Sequence, residues 1–283
     1  MLKVIKSPHT GYCFGVKRAM RLIEKGLDAN EGRIYTLGDV IHNPQAVEKL
    51  KKRGVTPVSS MDEIEKGSTL VIRAHGVHPD LVDEAKRRRI HLIDATCPFV
   101  QSSQKYARRL SRESYQVLII GDSTHPEVKG ISGYAGDKAI IVNTPEEAEE
   151  IGPFDKAGVV IQTTFSREKA MKIIDVFKSR VGDLRVYDTI CQATILRREA
   201  TLELAAQVDL VLVVGGRESS NTRRLYQMLV DSGISARFIE TADELEPEWF
   251  SECETVGLAT GTSTPDSIIE EVLVRLEEIS QSG

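Results

Sequence analysis

The chain has 283 residues, of which 41% are apolar and 28% charged, enough for a large core and more than one domain. Its net charge of −5 gives no global positive field to attract nucleic acid, and its longest apolar runs, such as DLVLVV, are too short to span a bilayer. No apolar secretory leader stands at the N-terminus, so the chain reads as cytoplasmic. Its four widely spaced cysteines (13, 97, 191 and 253) are then buried, catalytic or metal-binding residues, not a disulfide framework.

A strand-like run, LKVIKSPHTGYC, leads to Cys13. The stretch FGVKRAMRLIEKGL behind it predicts a helix with Val16, Ala19, Met20 and Ile23 on one face. A strand follows in RIYTLGDV, then a polar cluster, IHN, with His42 lying 29 residues after Cys13. A helix–strand–helix passage leads to the apolar strand STLVIRAHGV, which ends at His75, and the helix PDLVDEAKRRR closes the unit. Its basic run, Lys86 to Arg89, reads as a solvated last turn favoured by the helix dipole.

The order then repeats twice. IHLIDATC leads to Cys97, 84 residues after Cys13, and PFVQSSQKYARRLSR predicts a helix with Pro98 at its first position, where the missing N–H costs nothing. The strand YQVLIIGD and the cluster STHPE follow, with His125 28 residues after Cys97. The strand AGVVIQTTFS ends in Gln162, Thr163 and Thr164, and REKAMKIIDVFKSRV closes the second unit. LRVYDTIC leads to Cys191, 94 residues after Cys97, and the helix QATILRREATLELAAQ follows. After the strand VDLVLVVGG comes ESSN, with Ser219 28 residues after Cys191. ETVGLATGTST ends in Thr262, Ser263 and Thr264, and PDSIIEEVLVRLEEISQ is the last helix.

Strands alternating with helices imply parallel sheets joined by right-handed crossovers. The reading is three α/β units, 14–97, 98–190 and 191–283, the third completed by the N-terminal strand 1–13. Closing the chain in this way favours a pseudo-threefold trefoil of three small domains, each a mostly parallel sheet flanked by helices, around a central cluster. Ligands of open parallel sheets bind beyond the carboxyl ends of the strands, where Cys13, Cys97, Cys191 and the polar clusters all fall. Cys253 has no counterpart in the repeat and reads as an ordinary core cysteine.

Each repeat cysteine stands at a helix N-terminus, which favours thiolate. Three converging thiolates require a cation. One candidate is a zinc site with an exchangeable fourth position; the other is an iron–sulfur cluster with one iron free of protein ligands. His42, His75, His125, Thr163, Ser219, Ser220, Asn221 and Ser263 offer many donors with little formal charge, which suits a phosphate or diphosphate. Glu127, at the same rim, would have its carboxyl pushed toward the neutral form by a bound diphosphate and could then donate a proton.

At these residues the chain resembles the 4-hydroxy-3-methylbut-2-enyl diphosphate reductase family of the non-mevalonate isoprenoid pathway. The segments that carry the resemblance are GYCFGVKRA, GDVIHNPQAVEKL, VIRAHGVHP, DATCPFV, THPEVKG, IQTTFS, DTICQAT, ESSNTRRL and TGTSTPDSII. The resemblance implies a trefoil around a [4Fe–4S] cluster held by Cys13, Cys97 and Cys191. It places His42, His75, His125, Thr163, Ser219, Asn221 and Ser263 around a prenyl diphosphate, with Ser220 in the same run, and gives Glu127 the delivery of protons. The substrate hydroxyl would bind the unique iron and leave as water after two electrons and two protons, giving isopentenyl and dimethylallyl diphosphates. An external donor such as ferredoxin or flavodoxin would supply the electrons to a monomer that binds neither nucleic acid nor membrane. The chain departs from the family pattern after Cys97, where it reads PFVQSSQKY, at Asp122, and at Arg197 and Arg198. A cluster-dependent hydro-lyase and a non-enzymatic metal- or redox-sensing module are the alternatives the residues leave open.

Overall fold

The computed structural model describes residues 2–29, 32–136 and 138–282; Met1 and Gly283, the outer limits of the third sequence unit, lie outside them. The chain opens with β1 (Lys3–Lys6) and α1 (Phe14–Asp28). One four-stranded sheet is built from β2 (Ile34–Leu37), β3 (Val55–Val58), β4 (Thr69–Ile72) and β5 (His91–Asp94), in the order β3-β2-β4-β5, with α2 (Pro44–Lys52) and α3 (Pro79–Arg87) between its strands in the chain. The next contains β6 (Gln116–Ile120), β7 (Ile140–Val142), β8 (Phe154–Ile161) and β9 (Val181–Tyr187), in the order β7-β6-β8-β9. Its helices are α4 (Pro98–Arg112), α5 (Pro126–Tyr134), α6 (Pro145–Glu150) and α7 (Arg167–Lys178). The third has β10 (Leu210–Val214), β11 (Ala236–Ile239) and β12 (Thr255–Thr260), with α8 (Gln192–Ala205), α9 (Ser220–Asp231) and α10 (Asp266–Ser282).

β1 is the edge strand of this third sheet, whose order is β1-β12-β10-β11, and Lys3 to Lys6 lie opposite Thr255 to Leu258. All the strand pairs are parallel. The α/β class of three parallel sheets flanked by helices is the one the alternating sequence implies. Each sheet draws its strands from one of the three sequence units. Contact density divides the chain into two compact units instead: Met1–Lys17, Ile41–Lys49 and Gln192–Gly283 form one, and Arg18–Val40 with Leu50–Cys191 form the other.

The inner strands β4, β6 and β10 are nearly continuous apolar runs because both of their faces are covered. In β10, Leu210, Leu212 and Val214 join one cluster with Val272 and Leu276 of α10, while Val211 and Val213 point the other way, to Leu225 and Leu229 of α9. That is the period-2 alternation of a strand buried on two sides. α4 buries Val100, Ser103, Gln104, Ala107 and Leu110, one helical face, in the core with β6 and β8. A Cβ on Gly158 of β8 would lie 2.2 Å from a methyl of Leu110, so the close helix–strand approach requires glycine there.

The strands leading to the cysteines stop earlier than their apolar runs suggest. β5 ends at Asp94, whose Oδ1 accepts from Thr96 N–H at 2.9 Å, and β9 ends at Tyr187, beyond which Asp188 Oδ1 accepts from Ile190 N–H at 3.2 Å. These Asp side chains turn the backbone three residues before Cys97 and Cys191. After β1 the corresponding turn is made at Gly11, in the left-handed region with φ 74°.

Gly158→Ala will force Leu110 out of a packed position and should lower stability by about 1–3 kcal/mol. Thermal unfolding followed by circular dichroism will show the loss, and Leu110→Ala in the same chain should recover part of it.

Candidate active site

The three repeat cysteines share one backbone device. Each immediately precedes a helix, α1, α4 or α8. Each donates its backbone N–H to a carbonyl two residues beyond the end of the neighbouring strand: Cys13 to Thr262 after β12 (3.0 Å), Cys97 to Ala74 after β4 (3.0 Å), and Cys191 to Thr163 after β8 (2.8 Å). All three thiols are half-buried. Cys253 is different. It packs beside the core under β10 and β12 with Sγ 3.4 Å from Trp249 O, and burial, aided by Asp209 and Glu252, pushes its thiol above the usual range.

In the first compact unit, Ser263 Oγ donates to the His42 carbonyl at 3.2 Å. The same carbonyl would lie 2.3 Å from a Cβ on Gly216, so only glycine lets the chain after β10 pass so close to His42. Asn43 Oδ1 accepts from Ala46 N–H at 2.9 Å and starts α2. Ser219 caps α9 by accepting from Thr222 N–H, and Ser220 and Asn221 fill the first turn of that helix. Ser219, Ser220, Asn221 and Ser263 are all buried. Among the described residues the Asn221 amide nitrogen has no hydrogen-bond partner. A buried, unpaired donor at a helix N-terminus fits an anionic ligand.

Sequence reasoning missed Arg197 as a site component. Its side chain is 4% exposed. Nη1 donates to Thr260 O (2.9 Å), Thr260 Oγ1 (2.8 Å) and Gly261 O (2.8 Å), and Nη2 donates to Gly11 O (2.8 Å). One guanidinium thus ties α8 to the end of β12 and to the loop carrying Cys13. Burial lowers its pKa to about 10, against the upward pull of Cys13. In the sequence Arg197 is one of several charges in a helix, with no spacing to mark it as buried.

In the second compact unit six of the expected residues form a continuous series. Cys97 bonds the carbonyl of Ala74, beside His75. The His75 and His125 rings meet edge to face, 5.5 Å between centroids. His125 caps α5, its Nδ1 accepting from Glu127 N–H at 3.1 Å, with Pro126 at the first helical position. Glu127 is 2% exposed, and its carboxylate accepts from Thr163 N–H at 2.6 Å and from the Thr163 hydroxyl at 2.8 Å. The Thr163 carbonyl in turn accepts from Cys191. Gln162, fully buried, braces this corner by accepting from Asp122 N–H (3.0 Å) and donating to Thr164 Oγ1 (3.3 Å). Asp122 also accepts from Thr124 N–H and Oγ1, and its carbonyl receives His125 N–H, so Asp122 shapes the turn into α5.

The fold and these residues define a multi-sheet α/β enzyme with soft thiol donors at helix N-termini and one buried acid. The sequence profile of the LytB protein family matches residues 4–277. A curated relative, 4-hydroxy-3-methylbut-2-enyl diphosphate reductase of Aquifex aeolicus, is 42% identical over 99% of this chain and 98% of its own. The Pelobacter propionicus protein of the same name is 42% identical over the whole of both chains. A solved structure titled as the (E)-4-hydroxy-3-methyl-but-2-enyl diphosphate reductase, terminal enzyme of the non-mevalonate pathway, superposes with a TM-score of 0.73 at 41% identity, covering 98% of this chain and 100% of that one. The Plasmodium falciparum reductase superposes with a TM-score of 0.91 at 28% identity, covering 98% and 87%. The chain belongs to the LytB family and is an oxidoreductase.

Arg197→Gln removes a charged donor from three carbonyls and should cost about 1.5–3 kcal/mol for each bond that goes unreplaced. The expected result is a lower unfolding midpoint, measured by differential scanning calorimetry. A variant with wild-type stability would show that the carbonyls find other partners.

Proposed function

We propose that this chain carries out the reductive dehydroxylation of (E)-4-hydroxy-3-methylbut-2-enyl diphosphate to isopentenyl diphosphate and dimethylallyl diphosphate, with water as the other product. The three sequence units, 14–97, 98–190 and 191–283 with 1–13, would be its domains. Cys13, Cys97 and Cys191 would hold a [4Fe–4S] cluster. The observation that carries this reading is the backbone device repeated at these three cysteines and absent at Cys253. Thiol-only donors fit iron–sulfur ligation, and none of the three is committed to a disulfide. When bound, the cluster supplies electrons and a Lewis-acidic iron.

The remaining work falls to the chain's own side chains. His42, Ser219, Ser220, Asn221 and Ser263 would bind the substrate, chiefly its diphosphate, and the unpaired Asn221 amide and the α9 N-terminus suit that anion. His75, His125 and Thr163 would complete the binding set, with the two rings fixing each other's orientation. Glu127 holds the proton. When its Oε2 is protonated, the carboxyl donates to the Thr163 hydroxyl, which frees that hydroxyl's own hydrogen for transfer. Two electrons and two protons convert the substrate C–OH to C–H and release the oxygen as water. The electrons come from an external carrier such as ferredoxin or flavodoxin. The reading places a monomer in the cytoplasm, where cysteines stay reduced.

Glu127→Gln should keep iron, sulfide and substrate affinity within about twofold while turnover falls at least 100-fold, the scale of a lost general acid. Normal turnover would remove Glu127 from the mechanism. Anaerobic protein should contain iron and acid-labile sulfide in equal amounts. Replacing Cys13, Cys97 or Cys191 by Ser should destroy or destabilise the cluster, and Cys253→Ser should not. Zinc without sulfide in the wild type would overturn the reductase reading.

A further inference from the structure

The helix that starts directly after Cys97 carries a charge pattern the catalytic reading does not use. α4 has four basic residues and no acidic one, in a chain whose net charge is −5. Lys105, Arg108 and Arg112 are exposed and fall at i, i+3 and i+7, on one face. Arg109 is engaged by Glu113, but among the described residues no acidic side chain pairs with Lys105, Arg108 or Arg112. Arg108 instead lies over the ring of Tyr134, 4.6 Å from its centroid, which holds the guanidinium in place. Lys105 and Arg108 also border a concavity of about 340 Å³ lined by the apolar Ile72, Val77, Val82 and Leu92 and by the polar Asp94, Thr96, Gln101 and Gln104. Among the described residues, the face therefore pairs three cations that no acidic side chain engages with a recess of mixed apolar and polar lining, in which Asp94 is the one carboxylate.

We propose that this face of α4 docks the electron carrier, a small redox protein with an acidic surface. The inference rests on the reductase reading, because it takes Cys97 as a cluster ligand. Along the helix axis Lys105 stands roughly 12 Å from Cys97 and Arg112 roughly 22 Å, at 1.5 Å per residue. A carrier covering about 800 Å² would reach the three cations and the N-terminal end of α4 together. The cations steer and orient an acidic partner; the recess accepts an apolar side chain at its centre. Each docking delivers one electron, so two dockings serve one turnover. A carrier that docks here has its entry to the cluster through Cys97.

The test uses the cluster-loaded enzyme and an acidic plant-type [2Fe–2S] ferredoxin. Binding of oxidised ferredoxin is measured by isothermal titration at several salt concentrations. Turnover is measured with reduced ferredoxin and, separately, with reduced methyl viologen, which needs no docking site. The triple variant Lys105→Glu, Arg108→Glu, Arg112→Glu should raise the KM and Kd for ferredoxin at least tenfold and leave viologen-driven turnover unchanged. Lys105→Gln with Arg112→Gln leaves the Arg108–Tyr134 stack intact and should raise both about threefold. Wild-type affinity should fall with salt. Unchanged ferredoxin affinity in both variants, or wild-type binding insensitive to salt, overturns the proposal. Duplex DNA binding that competes with ferredoxin and is lost in the variants would reassign the face and overturn it too. Failure of viologen-driven turnover in the wild type strikes the reductase reading, and the titration alone then decides the docking face.

Discussion

The hydrogen bond from a cysteine N–H to the carbonyl two residues past the adjacent strand is the constraint on which the rest of the site depends. It fixes each cysteine through its backbone N–H and not through its sulfur. It also fixes the start of the following helix relative to the sheet, because each cysteine directly precedes a helix. A side-chain cap would have used the sulfur; Cys97 sits at the N-cap of α4 with no side-chain cap bond. The same bond serves twice at Thr163, whose carbonyl holds Cys191 while its N–H and hydroxyl hold Glu127. The acid and the thiol are thereby placed by a single residue, and any shift of the chain after β8 moves both.

Glu127 shows how burial and position are separated in this fold. A carboxylate 2% exposed needs donors for its oxygens, and Thr163 supplies one to each. Its own N–H is taken by His125, so the residue is held at the backbone by a histidine and at the side chain by a threonine from another strand end. The histidine is oriented in turn by the ring of His75. Each group here has a rotamer set by a neighbour that is also part of the site, which is the arrangement that preorganises a polar centre without relying on loop stiffness.

Much of this was legible in the sequence, for physical reasons that differ by level. The strands and helices declare themselves because β6, β8 and β10 are apolar runs bounded by polar clusters, and α4 has a clear amphipathic face. The partnership of β1 with β12 followed from the incomplete third repeat. His125 and Glu127 stood out because His-Pro-Glu at a strand end is a helix start with an acid in its first turn. The early strand ends at Asp94 and Tyr187 were not legible, because the apolar pattern continues to the cysteines while the Asp94 and Asp188 side chains divert the backbone. Arg197 was hidden for the opposite reason: its surroundings are carbonyl oxygens, which every residue carries and no sequence pattern marks.

Arg197 also bears on the electrostatics of the thiol set. In the proposed function, thiolates and a diphosphate would add negative charge to a region where the side chains are mostly neutral donors. With a pKa of about 10 the guanidinium remains a cation at neutral pH despite its burial. Its Nη groups are committed to Thr260, Gly261 and Gly11, so it holds the Cys13 loop without swinging to meet a ligand. A lysine could supply the charge but not the planar fork that reaches carbonyls on two segments at once. Arg197→Lys would therefore keep a cation at this position and lose the tie between the end of β12 and the Cys13 loop.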